Sequence, residues 1–121
     1  MTAAELRNLD AEVCREVMGL YACDRLGFLV CPHYSADIAA AWRVVENLSK
    51  QWNIEITNGY DLIGKNPLWW CEIDDTEFGC ISNGVGHVNA KNVWREKAET
   101  APRAICLAAL KAVRAGKGAA K

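Results

Sequence analysis

Apolar residues recur at three- and four-residue spacing near the start of the chain. Leu6, Leu9, Val13 and Val17 form one stripe, and Cys14 and Met18 widen it. This pattern predicts an amphipathic helix over residues 4–18, with Gly19 as its stop. Two short strands then fit Leu20–Cys23 and Phe28–Cys31, joined by the turn Asp24-Arg25-Leu26-Gly27 and closed by Pro32. A second stripe, Ile38, Ala41, Trp42, Val45 and Leu48, predicts a helix over residues 36–51. Ser35 is its expected N-cap, and Asp37 adds negative charge to the first turn.

The period then changes. Asn53–Thr57 carries β-branched Ile54, Ile56 and Thr57, and Asn58-Gly59 is a turn signal. Leu68–Asp74, with Trp69-Trp70-Cys71-Glu72-Ile73 at its centre, reads as a second strand, and Phe78–Ser82 as a third. Asn83-Gly84 and Gly86 break the chain, and residues 88–99 fit neither period clearly. The last helix opens at an N-cap, Thr100, with Pro102 in its first turn, and ends at Gly116. Its core face is Cys106, Ala109, Leu110 and Val113, and Lys111, Arg114 and Lys117 complement the dipole at its C-terminal end. Strands joined by such short turns pair antiparallel. The expected fold is α+β, an antiparallel sheet of about five strands packed with three helices.

A chain of 121 residues is one domain's worth of sequence, with 116–121 expected as a flexible tail. Half of it is hydrophobic, which excludes a disordered segment. The net charge of -1 argues against a general nucleic-acid binder and equally against an acidic mimic of DNA. The charge is nonetheless polarised. Residues 53–90 hold one Lys/Arg against six Asp/Glu, and residues 91–121 hold eight Lys/Arg against two. Pairing of the two segments across the surface is the simplest account of that division.

Neither a leader nor a run long enough for a membrane span is visible, so the expected location is cytoplasmic, with no membrane partner. The six cysteines, Cys14, Cys23, Cys31, Cys71, Cys80 and Cys106, are then expected as thiols. No C-x-x-C pair occurs, and small buried hydrophobes explain them best.

Two stretches carry a resemblance. Pro32-His33-Tyr34-Ser35-Ala36-Asp37-Ile38-Ala39-Ala40-Ala41-Trp42 resembles the central segment of the phage ABA-sandwich domain family. Ala101-Pro102-Arg103-Ala104-Ile105-Cys106-Leu107-Ala108-Ala109-Leu110-Lys111-Ala112 resembles its C-terminal helix, and Leu9-Asp10 with Val17-Met18-Gly19 its opening helix. The resemblance implies a single α-β-α sandwich domain of phage or prophage origin, acting in the host cytoplasm. It implies no activity. The motif residues read as structural: a cap, small packing residues and a core Trp. Residues 60–98 match the family least and are where a particular function is expected.

Candidate chemistry is sparse. Trp69 and Trp70 are adjacent on a strand, so they point to opposite faces: both are core if helices cover both faces, and if only one face is covered the exposed indole becomes a stacking platform or an interface anchor. Trp94 reads as a better surface candidate than Trp42. Asn83-Gly84-Val85-Gly86-His87 offers a weak anion nest, for which a plain turn is the simpler reading. Cys31, His33, Cys80 and His87 could ligate zinc by type, but their spacing does not support it, and no metal or cofactor is expected. Asp74, Asp75 and Glu77 read as solvated turn carboxylates.

Three functions follow from this inventory. The first is a non-enzymatic counter-defence protein that sequesters a nucleotide-type immune signal or blocks a host defence protein. Trp69, Trp70 and Trp94 would supply aromatic contact, and Arg95, Lys97 and Arg103 would supply cations. The second is a structural or assembly adaptor acting as a homo-oligomer. It draws on Leu107, which shares a helix face with Arg103, Lys111 and Arg114. The third and least supported is a small hydrolase, since no nucleophile-elbow or Walker motif is present.

Overall fold

In the computed structural model, described over residues 2–19, 32–60, 64, 67–75, 77–81, 84–88 and 92–119, the chain begins with a capping box. The Thr2 hydroxyl accepts the Glu5 N–H at 3.1 Å, and the Glu5 carboxylate accepts the Thr2 N–H at 3.2 Å. Those bonds hold the Glu5 carboxyl below its ordinary range. Helix α1 runs Ala3–Glu12 and continues as a π-helical stretch, Val13–Val17. Leu9, Val13, Cys14 and Val17 are buried, as the stripe predicts. The expected strands Leu20–Cys23 and Phe28–Cys31 lie outside the described residues.

Helix α2 spans Ile38–Leu48, shorter at both ends than the expected 36–51. Its N-cap is Asp37, whose carboxylate accepts the Ala39 N–H at 3.0 Å. Ser35 is not the cap. It is buried in the preceding turn, where its N–H donates to Asp10 and its hydroxyl to the Leu6 carbonyl. The buried arc of α2 is Ala40, Ala41, Val44, Val45 and Leu48. Ile38 and Trp42 lie at its margin and are 53% and 50% exposed, so Trp42 is not the core residue its motif position suggested.

Among the described residues the main sheet has three antiparallel strands, and the expected sheet of about five is not seen there. Strands β1 (Asn53–Tyr60), β2 (Pro67–Asp74) and β5 (Val93–Ala98) stand in the order β1-β2-β5. Strands β3 (Glu77–Ile81) and β4 (Gly84–Val88) pair only with each other among the described residues. The ambiguous stretch supplies β5, which takes the free edge of β2 from Trp69↔Ala98 to Asp74↔Val93. With that edge occupied, the β3–β4 ladder stands apart. Asp75 and Asn92 close its base: the Asp75 carboxylate accepts the Asn92 backbone N–H and its side-chain amide, each at 2.9 Å.

Helix α3 spans Ala101–Ala119. The Thr100 hydroxyl accepts the Arg103 N–H at 3.4 Å, and Pro102 sits in the first turn. The helix passes through Gly116, its expected end. A Cβ added there would meet the Trp52 ring at 3.5 Å, so Gly116 packs beside an indole. Ala104, Ile105, Cys106, Ala108, Ala109, Leu110 and Ala112 are all buried, because α3 packs against β2 and β5 and also against α2 and the π-helical stretch. Its narrow remaining strip carries Arg103, Leu107, Lys111 and Arg114. No described helix is long and apolar enough to cross a membrane.

Candidate functional site

Alternation along β2 separates the two candidate indoles. Cys71 and Ile73 are buried beneath α3, and Trp69 shares their face and packs against the core. Trp70 points the other way. Its cross-strand partners are Thr57 and Lys97, and the neighbouring pair on that face is Glu72 and Arg95. Three of the six residues singled out from the sequence, Trp70, Arg95 and Lys97, therefore share the outward face of the sheet. Trp69, Trp94 and Arg103 are elsewhere.

That outward face is organised by charge. The Lys97 ammonium lies 5.5 Å from the centroid of the Trp70 ring, a cation–π arrangement. Arg95 donates to the Glu72 carboxylate from Nε at 3.1 Å and Nη2 at 2.7 Å. Exposed Val93 continues the row on β5. The Arg95–Glu72 pair joins the basic and acidic segments across the sheet, as their charge division predicts. The described basic side chains of α3 turn elsewhere. Lys111 meets Glu96 at 3.4 Å, and Arg114 meets Glu16 at 2.8 Å and Glu12 at 3.4 Å. Hydrogen bonding to Glu16 holds the Arg114 guanidinium above its usual range.

On the inner side, Trp94 stacks obliquely on Trp52, with ring centroids 5.2 Å apart and planes at 54°. Trp94 is thus half-buried and Trp42 half-exposed, the reverse of their expected order. Trp52 carries no signal in the sequence beyond its place just after a helix. Arg103 sits in the first turn of α3, with Nη1 3.7 Å from Glu99 and a buried Nε that has no hydrogen-bond partner among the described residues.

Among the described residues, two concavities open on the helical side. A groove of about 640 Å³ lies between α1 and α3, with Leu9, Leu107 and Leu110 at its floor and the Lys111 and Arg114 ion pairs at its rim. A smaller hollow of about 320 Å³ lies beside Trp52. Neither gathers a nucleophile with a base. Cys71 and Cys106 are buried, and burial pushes the Cys71 thiol up to about 12. Burial raises Cys106 as well, with the Asp10 carboxylate and Cys71 adding to the effect. Such thiols stay protonated and are poor nucleophiles.

Among the described residues no three metal-ligating side chains converge. His33 accepts from Arg7 at 3.1 Å, while Cys31 and the side chains of Cys80 and His87 lie outside the described residues. Residues 84–88 form strand β4, so their backbone is committed to a ladder instead of an anion nest.

A family model described as the Phage ABA sandwich domain matches residues 11–110. The crystal structure of a phage protein from Bacillus cereus is similar to this chain at 28% identity and a TM-score of 0.54, covering 91% of this chain and 93% of that one. No curated protein matches the chain.

Proposed function

The chain belongs to the phage ABA sandwich domain family, and from that premise we propose that it is a counter-defence protein that binds and blocks a host defence protein without catalysis. The observation that carries this reading is the outward sheet face, where Trp70, Lys97 and Arg95 stand side by side. An aromatic anchor flanked by cations on a sheet face suits a protein partner. A nucleotide signal fits less well, because Lys111 and Arg114, the cations at the larger groove, are engaged with carboxylates.

The test is protection of a sensitive phage. Host strains that each carry one defence system would express the protein, and plating efficiency would be compared with and without it. Rescue in one strain, lost in Trp70→Ala and Lys97→Glu variants of unchanged melting temperature, supports the reading. Absence of rescue across the strains, or rescue untouched by either variant, sinks it. A stability rise with a cyclic dinucleotide or an ADP-ribose derivative would favour the signal-binding version instead.

The homo-oligomeric adaptor remains the second reading. Exposed Ile38 and Trp42, one turn apart on α2, support it. Light scattering that finds only monomer at high concentration removes it.

A further inference from the structure

Strand β5 forms one border of the main sheet among the described residues. Its backbone groups alternate between β2 and the outer side. The Arg95 carbonyl is one of the outer groups, where it accepts from the Lys111 ammonium at 3.4 Å. Alternation places the N–H and C=O groups of Val93 and Lys97 on that same side. No strand pairs with this edge among the described residues. The groove between α1 and α3 opens against it, because Glu96 and Lys111 belong to its wall. We propose that an extended segment of a protein partner adds to β5 as a further strand, with acidic residues on one of its faces and apolar residues on the other.

Each part of that description follows from what borders the edge. Side chains of an added strand fall alternately on the two faces of the sheet. Those on the outward face stand beside Val93, Arg95 and Lys97, the last two being exposed cations. The Lys97 ammonium lies over the Trp70 ring and meets no carboxylate among the described residues, so an acidic neighbour supplies one. Side chains on the other face point to the helical side, over Leu107, the half-buried leucine of the groove. A bare edge that meets an apolar concavity has both parts that strand addition uses: backbone bonds for affinity and side-chain pockets for specificity.

Lys111 sets access to the edge. Its ammonium reaches the Arg95 carbonyl and Glu96 Oε1, each at 3.4 Å. A lysine in this place guards the edge against indiscriminate pairing. Both contacts are long and the side chain is exposed, so an incoming backbone N–H displaces it from the Arg95 carbonyl. This inference rests on the reading that the sheet face holds a protein partner, and it gives that partner a shape and a composition.

The probe is a short capped peptide of alternating valine and aspartate, followed through the backbone amide resonances of Val93, Arg95 and Lys97. One control is N-methylated at alternate amides and cannot pair. The other carries lysine in place of aspartate. The valine–aspartate peptide shifts these amides saturably and slows their hydrogen exchange, and both controls bind about tenfold more weakly. Leu107→Ser weakens binding about fivefold by removing the apolar contact. No saturable shift, equal binding by either control, or unchanged binding in Leu107→Ser would each overturn the proposal. Phage rescue that depends on Trp70 beside a silent β5 edge removes this inference and leaves the sheet-face reading standing. An edge that pairs as described without any rescue does the reverse.

Discussion

The carboxylate of Asp10 accepts the backbone N–H of Ser35 at 2.7 Å, joining helix α1 to the turn that precedes α2. Both groups are buried, and the second Asp10 oxygen accepts from Arg7 Nη1 at 2.8 Å. Arg7 Nη1 also reaches His33 in the same turn. The opening-helix motif and the central motif are therefore two halves of one hydrogen-bonded junction. Asp10→Ala leaves a buried N–H without its acceptor and a guanidinium without its carboxylate. We expect a loss of about 3 kcal/mol in urea denaturation. Asp10→Asn keeps one acceptor for Ser35 and loses less.

The two indoles with reversed exposure give a second prediction. Trp42→Ala removes a half-exposed side chain and costs about 1 kcal/mol. Trp94→Ala removes a ring stacked on Trp52 and packed against the core, and costs about 3 kcal/mol. Chemical denaturation of both variants reads the difference. Equal losses would return Trp42 to the core.

Lys97 and Trp70 are coupled through a cation–π contact on an open face. A double-mutant cycle of Trp70→Ala and Lys97→Ala gives a coupling energy of about 0.5 kcal/mol. The interaction weakens with added salt, because the ammonium is exposed to solvent.

Cys71 ties stability to alkaline pH. Burial pushes its folded thiol up to about 12 from an ordinary 9.0, so the folded state keeps a proton that the unfolded chain releases. The contribution is whole below about pH 9 and declines as pH rises towards 12. Urea midpoints measured between pH 8 and pH 10, taken as about one unit either side of the unfolded thiol, fall with pH, and Cys71→Ala lessens the fall, with the raised thiol of Cys106 supplying part of what remains. A disulfide-exchange reagent at pH 8 labels Cys71 only when the chain opens.

Much of the helical layer was legible because helical burial follows a local period. The stripes through Leu9, Val13 and Val17 and through Cys106, Ala109 and Leu110 are buried as read. The period does not give the width of the buried arc. Small residues on α3 set how α2 seats, and the arc closes on Ala41, Val44 and Leu48, leaving Trp42 at the margin. The alternation of Trp69 and Trp70 was equally local. The placement of β5 was not, since it pairs with β2 only after the chain has passed through β3 and β4. For the same reason sequence could not bring Trp70 to Lys97, or the end of α2 to Gly116. Those neighbours are set by long-range pairing, and Asp10 and Ser35 meet across 25 positions of chain.

Helix α3, hemmed in over most of its circumference by alanine, cysteine and isoleucine, acts as the keel of the domain. Neither the sheet nor the pair α1 and α2 retains an apolar surface to rest on once it detaches. Partial melting is thus disfavoured, and heat should abolish the signals of sheet and helices in one sharp step.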